Sequence, residues 1–501
     1  MNPSGLFLAI DQSTSSTKAM LFTPDGKLLD QEWLSHEQIY PSAGWVEHDA
    51  EEIFSNTLKT ASTLLQRHTD QWNNLLAVSL TNQRETFVLF DRETGQPLYN
   101  AIVWQCRRGD DFCKQLVSTG NENIVHELTG LKIDTYFPAS KLRWLLDTRP
   151  DLCAKLKDGS ALFGTIDTFL IYRLTGGKVY ATDHTNASRT LFYDIEKLGW
   201  SQELCKIFGL EFGELPDVRE SSAWYGDTDL GGCLNRRLPI CGVMGDSQAA
   251  LFAQRCFAPG GAKVTFGTGS SVLLNIGHEK RLSARGTVTA LAWVLQGQPT
   301  YAFEGIINFT GATISWLRDQ LELIANPDET EALALSVSDS DGVYLIPAFV
   351  GLSAPYWRAD ARAAILGMTP STTRAHVVRA ALESIGYIVT DVLKAMGDEA
   401  GVELSTIHAD GGSVRNAFLM QFVADMNQLK VRAAQTPELS ALGAVFSGCL
   451  GLKIYTSLDD LKNLPSGFTE YRSSMSPART SELFAGWQAA VQQVLYQPKQ
   501  G

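Results

Sequence analysis

The sequence is short of positive charge, of clustered metal ligands and of long apolar runs, and each shortage removes a class of protein. Lys plus Arg number 42 against 55 Asp plus Glu, a formal net charge of -13. Such a surface repels polyanions, so nucleic acid is not an expected partner, although a local basic pocket can still hold a phosphate. The eight cysteines form no CxxC pair. Their scatter reads as reduced, mostly buried thiols of a cytoplasmic protein, not as a disulfide framework or a zinc cluster. The eight histidines form no HExxH or other close ligand set, and His408, ahead of a glycine pair, reads as structural. Neither GxxxxGK[ST] nor GxGxxG occurs. The opening MNPSGLFLAIDQ carries five apolar residues before Asp11 and no basic leader, so it reads as a first strand, not a signal peptide. No uninterrupted apolar stretch approaches bilayer length, and membrane insertion is not expected.

What is present is a folded composition. With 501 residues, 44% apolar and 19% charged, the chain can bury two substantial cores. GLFLAID, a polar QSTSST turn and KAMLF predict an antiparallel hairpin. DAEEIFSNTLKTASTLLQ predicts a helix beginning near Asp49, and LLAVSLTN another core strand. RRLPICGVMGDSQAALFAQ gives strand, glycine, acid and helix. Residues 263–276, KVTFGTGSSVLLNI, repeat the layout of the first hairpin, which suggests a duplicated unit with a boundary near 250–262. GIINFTGATISWLRDQL is a glycine-containing turn into a helix, and TIHADGGSVRNAFLMQF is strand, glycine turn and helix. Strands alternating with helices place the chain in the α/β class.

Several of these junctions carry candidate chemistry. Asp11, at a strand end beside Thr14, Ser15 and Lys18, suits a Mg²⁺-bound phosphate, and equally a polar turn. The turn Gly267, Thr268, Gly269 and Ser270 permits close backbone approach to a second phosphate, or is an ordinary tight turn. Gly411 and Gly412 with Asn416 can border a base or ribose, as a plain loop would. Arg84 and Glu85, at a strand terminus, can grip vicinal hydroxyls or form a surface ion pair. Trp104 and Tyr136 offer faces for carbohydrate carbons or belong to a core. Asp246 is either a helix cap or a base that takes the proton of an attacking hydroxyl.

DQSTSSTKAMLF, LTNQRETFVLFDRETGQPLYNAIVWQ, GDSQAALF, TFGTGSSVLLN, GLSAPYW, RAALESI and DGGSVRNAFLMQF together resemble the FGGY carbohydrate kinases, and within them the glycerol kinase branch, over about residues 6–455. The resemblance implies two ribonuclease-H-like (actin-like ATPase) domains, 1–255 and 256–501, flanking a nucleotide cleft that uses ATP and Mg²⁺. It makes Asp246 the base and Asp11 the metal-positioning acid. It places Arg84, Glu85 and Tyr136 on the polyol, with Trp104 beside them. Thr14, Ser15, Lys18, Thr268, Gly311, Gly412 and Asn416 line the nucleotide. A homodimer or homotetramer stays open.

The sequence departs from that pattern around the acceptor. Ser247 stands where glycerol kinases have glutamine, Ser271 where they have an aromatic, Cys106 replaces the acid of WQD, and Lys18 replaces arginine. The shorter serines predict an acceptor larger than glycerol, a polyol or ketose of about four or five carbons. Glycerol is the alternative within the family. A non-catalytic, sugar-responsive ATP-binding regulator is the alternative of another class, and an ATPase chaperone lacks room for a peptide-binding domain.

Overall fold

The computed structural model describes residues 5–352, 354–358, 360–436 and 438–496. Its first strand, β1 (Leu6–Gln12), is buried throughout, which is why LFLAIDQ reads as a continuous apolar run and not as an alternating one. β2 (Ser16–Phe22) returns antiparallel to it with Lys18 opposite Asp11, and β3 (Leu28–Ser35) follows antiparallel as an exposed edge. α1 (Ala50–Arg67) packs on β2 and β3. The expected start is correct: Asp49 caps the helix by accepting from the backbone N–H of Glu51 at 2.8 Å and of Glu52 at 3.3 Å.

β4 (Leu75–Asn82) pairs parallel with β1, and β5 (Leu238–Gly245) parallel with β4. The first sheet therefore runs β5-β4-β1-β2-β3, extended beyond β5 by Trp224–Thr228. Between β4 and β5 a long insertion supplies three strands of a separate four-stranded sheet, whose fourth strand is Glu47–His48, and several helices, including Pro138–Thr148. This insertion carries Trp104 and Tyr136.

After α2 (Asp246–Ala253) the pattern repeats. β6 (Gly261–Phe266), β7 (Ser270–Gly277) and β8 (Gln298–Ile307) are successively antiparallel. α3 (Arg374–Ala400) covers β7 and β8. β9 (Thr406–Asp410) adds parallel to β6, α4 (Ala417–Asn427) follows, and β10 (Lys430–Ala434) pairs parallel with β9. The order β10-β9-β6-β7-β8 matches the first sheet strand for strand, with Phe468–Tyr471 and Val288–Leu295 added at its edges. The shared order and the shared parallel and antiparallel senses are the structural sign of duplication.

α5 (Leu439–Gly451) does not stay with the half in which its sequence lies. It packs on β1, β4 and β5 of the first sheet and along α2. Its small residues explain the placement, since a Cβ on Gly443 would lie 1.9 Å from the backbone oxygen of Ala249. Only a glycine lets the two helices cross so closely. Around them Phe7, Met244 and Phe252 of the first half share one buried cluster with Leu273 and Trp293 of the second. Burying each such side chain is worth roughly 1.5–3 kcal/mol, so this seam joins the halves firmly beneath the cleft.

Candidate active site

Asp246 begins α2, but it is not the cap. Gly245 holds that position, and the Asp246 carboxylate instead accepts the N–H of Ser247 at 2.6 Å. The helix N-terminus favours its negative charge, and its side chain is 39% exposed toward the cleft. Behind it, the N–H of Gly245 donates to Oγ1 of Thr185 at 2.8 Å, and Thr185 donates to Asp183. This buried relay fixes the strand-to-helix turn that presents the acid.

Arg84 and Glu85 follow β4 and are buried, not surface residues. Glu85 sits at φ 61°, a left-handed conformation uncommon outside glycine, which marks a tight turn at the strand end. Arg84 donates from Nη1 to Oε1 of Gln248 at 3.1 Å and from Nη2 to Oε1 of Glu304 at 2.7 Å, while its Nε lies 3.2 Å from the Asp246 carboxylate. Arg189 donates to Glu85 at 2.6 Å. Burial alone would push Glu304 up, yet Arg189 and Arg84 outweigh it and hold the carboxyl down at about 2. Burial raises Glu85 against the same two arginines. Tyr136 is pushed up by burial and by Glu85, so it is a neutral hydroxyl here.

The rings of Trp104 and Tyr136 stand 5.3 Å apart, and the indole N–H of Trp104 donates to Oγ1 of Thr14 at 3.0 Å. Lys141, on Pro138–Thr148, donates to the carbonyls of Val103, Trp104 and Tyr136 and so ties the two aromatic segments together. Burial pushes its amine down to about 8. Cys106, in place of the family acid, is buried and accepts from Nε of Arg108 at 3.1 Å.

Asp11 is 9% exposed at the end of β1. Burial pushes it up to about 7; Lys18 opposes this, while Asp246 and Glu438 add to it. A carboxylate in this position is relieved by a divalent cation. Among the described residues no three His, Cys, Asp or Glu gather into a cage. Mg²⁺ uses one or two carboxylates together with phosphate oxygens and water, and Asp11 supplies one such carboxylate. Lys18 does not point free into the cleft, because its ammonium donates to both oxygens of Glu438 at 2.9 and 2.8 Å. A phosphate has to share or displace that partner. Ser15 is exposed on the same turn.

The second hairpin, on the other sheet, is built alike. Thr268 is exposed at its tip, and the N–H groups of Gly311 and Ala312 bond the carbonyls of Gly267 and Thr268, each at 3.0 Å. These bonds seat the start of the helix Gly311–Asp319 on the turn. Gly411 adopts φ 94° and a Cβ there would meet the Phe266 carbonyl, whereas a Cβ on Gly412 would meet nothing within 4 Å. The face over Gly412 is therefore open to a ligand. Asn416 caps α4 by accepting from Leu419 at 2.9 Å and donates to Thr330 at 3.1 Å, which leaves one amide N–H for a base. Ser247 and Ser271 are half-buried, and the Ser271 hydroxyl has no hydrogen-bond partner among the described residues.

Gln248, Arg189, Glu304 and Glu438 escaped the sequence reading. The lone acid inside the strand QPTYAFEGII was the available signal for Glu304. Arg189 in TNASRT, Gln248 on α2 and Glu438 had none that distinguishes them from surface residues.

Two phosphate-sized turns on duplicated sheets, acids at a strand end and a helix start, and a buried polar cluster between them define the class: a two-domain phosphotransferase with an actin-like fold. The model for the N-terminal domain of the FGGY family of carbohydrate kinases matches residues 6–253, and that for the C-terminal domain matches residues 262–452. A protein named Glycerol kinase 1 from Thermotoga maritima is 44% identical over 488 residues, covering 97% of this chain and 99% of its own. A glycerol kinase from Symbiobacterium thermophilum is 45% identical over 493 residues, covering 97% and 98%. The crystal structure of Plasmodium falciparum glycerol kinase with ADP superposes with a TM-score of 0.94 at 36% identity, covering 99% of each chain. Ligand-bound xylulose kinase from Lactobacillus acidophilus shares the fold, with a TM-score of 0.88 at 20% identity, covering 98% of this chain and 99% of its own. The chain belongs to the FGGY family of carbohydrate kinases and is an ATP-dependent enzyme that works with Mg²⁺.

Proposed function

We propose that the protein is a glycerol kinase, transferring the γ-phosphoryl group of ATP to a terminal hydroxyl of glycerol. The observation that carries this is the set Asp246, Arg84, Glu85 and Tyr136 gathered at one point of the cleft, in a chain whose full-length relatives are named glycerol kinases. This replaces the expectation of a four- or five-carbon acceptor, which rested on Ser247 and Ser271 alone, whereas the relatives that match nearly the whole chain are named glycerol kinases. Tyr136 and Trp104 face the carbon chain, Arg84 donates to its hydroxyls, and Glu85 accepts from them. Asp246 takes the proton of the attacking hydroxyl as the new O–P bond forms and the bond to the β-phosphate oxygen breaks, releasing ADP. Asp11 would hold Mg²⁺, which when bound neutralises phosphate charge. Thr14, Ser15, Thr268, Gly311 and Gly412 position the nucleotide, the halves 1–255 and 256–501 supply its two sides, and Asn416 borders the base.

A second reading, a longer polyol, is favoured by one observation: the half-buried Ser271 keeps an unpartnered hydroxyl on the sheet face that also carries Glu304. An acceptor screen with MgATP over C3 to C5 polyols and ketoses separates the two. Glycerol giving the highest kcat/KM is expected, and a clear preference for a longer chain would replace it with the second reading. Asp246→Asn should fold and bind nucleotide yet lose most turnover; wild-type turnover would reject Asp246 as the base. Eight free cysteines and the acidic surface support a cytoplasmic location. No helix among the described residues is long and apolar enough to cross a membrane.

A further inference from the structure

Glu304 stands in the middle of β8 in the second sheet, where its backbone pairs with Leu273 and Val288. Its carboxylate serves the other half of the molecule. Oε1 accepts from Arg84 at 2.7 Å, and Oε2 lies 2.6 Å from Nη1 of Arg189. Arg84 follows β4, and Arg189 follows the short helix His184–Ala187, so both cations belong to the first half. Arg84, Arg189 and Glu304 are all at most 5% exposed.

Arg84 is also contested. Its Nε lies 3.2 Å from the carboxylate of Asp246, whose side chain is 39% exposed, while its Nη1 is held by Gln248 at 3.1 Å. Water screens the Asp246 contact far more than the buried Glu304 contact, so Glu304 and Gln248 set the plane of the guanidinium. Asp246 approaches at the Nε corner. Two parallel N–H bonds from an arginine to one carboxylate would occupy both of its oxygens. Glu304, by occupying Nη2, opposes that arrangement.

The geometry points to Glu304 as a positioning residue of the acceptor site. By gripping Arg84 and Arg189 from the second half, it fixes the guanidinium that meets the acceptor and keeps Arg84 from closing a two-pronged pair with Asp246. One Asp246 oxygen then stays free to receive the proton. This rests on the roles proposed above for Arg84 and Asp246. Without the Glu304 charge, Arg84 and Arg189 share the one buried carboxylate of Glu85, and the freed Nη2 of Arg84 turns to the Asp246 carboxylate that its Nε already approaches.

The test uses the full chain and whichever C3 to C5 polyol the wild-type protein phosphorylates fastest, so the identity of the acceptor does not bear on the result. E304Q should raise the acceptor KM at least tenfold and lower kcat about tenfold. The ATP KM should stay within twofold, because the turns carrying Thr268, Gly311 and Gly412 are untouched. Acceptor and ATP KM rising by the same factor, or unaltered acceptor kinetics, would overturn the assignment. E304D keeps the charge but is too short to span both arginines, so a smaller rise in acceptor KM is expected. It also decides the matter should E304Q not fold, since an unchanged acceptor KM in E304D overturns the role. Pairing E304Q with R189M removes one charge of each sign but still leaves Arg84 without its buried carboxylate on Nη2, so the acceptor defect should persist. Full recovery would reduce Glu304 to charge balance and refute the positioning role. An error in the base assignment would show separately, as turnover retained by Asp246→Asn.

Discussion

Asp11→Asn should make the free protein more stable at pH 8 while impairing its Mg²⁺-dependent activity. The carboxyl is pushed up to about 7 from 3.8, chiefly by burial, so the fold holds it protonated over a range in which the unfolded chain has already ionised it. Between about pH 4 and 7 the folded state thus binds the extra proton, and stability falls as pH rises through that window. At about 1.36 kcal/mol per pH unit, the ionised Asp11 costs the fold on the order of 2–4 kcal/mol at pH 8. An isosteric amide removes that cost. Unfolding entropy of about 2.1 cal/mol/K per residue gives about 1 kcal/mol/K for a chain of this length, so the variant should melt about 2–4 °C higher at pH 8. The gap should narrow to about half by pH 5.5 and close near pH 4. Calorimetry of both proteins without nucleotide, from pH 5 to 8, provides the measurement. A variant no more stable than wild type at pH 8, or a gap independent of pH, would refute the reasoning. The same titration predicts that the proton competes with Mg²⁺, so apparent metal affinity in the wild type should rise with pH up to about 7 and flatten in the variant.

Gly443→Ala should destabilise by about 3 kcal/mol, because its Cβ would strike the backbone of Ala249 and neither helix can yield without opening the seam; thermal melting reads this directly. Ser247→Gln combined with Ser271→Phe should sharpen preference for glycerol over a five-carbon polyol by about tenfold in relative kcat/KM, and an unchanged ratio would remove these positions from acceptor selection. Lys18→Arg should retain activity, since the guanidinium can still meet Glu438 and phosphate, whereas Lys18→Ala should raise the ATP KM; equal ATP KM values in the two variants would count against a phosphate contact.

Local chemistry was legible wherever a few neighbouring residues were enough to express it. The continuous apolar run of β1, the Asp49 cap, both hairpins with their small-residue turns and the strand-to-helix junction at Asp246 all depend on contacts within a few residues, and all appear where the sequence put them. Arg84 and Glu85 were visible as charges at a strand end, though a surface ion pair looked as good until their burial was known. The choice between capping and chemistry at Asp246 was likewise undecidable locally, because an acid at a helix start suits both. The structure gives the cap to Gly245 and leaves the carboxylate facing the cleft.

The sequence by itself determined the α/β class and the duplicated hairpins, which follow from periodicity and turn chemistry, while the kinase family and the roles of its polar residues came from the resemblance its motifs carry. Only the tertiary structure decided that Glu304 meets Arg84 across 220 residues, that Glu438 holds Lys18 across 420, and that α5 crosses to the first sheet. Those pairings come from closing two sheets around one seam. A lone acid in a strand or a glycine in a helix carries no local record of the partner that burial will bring to it.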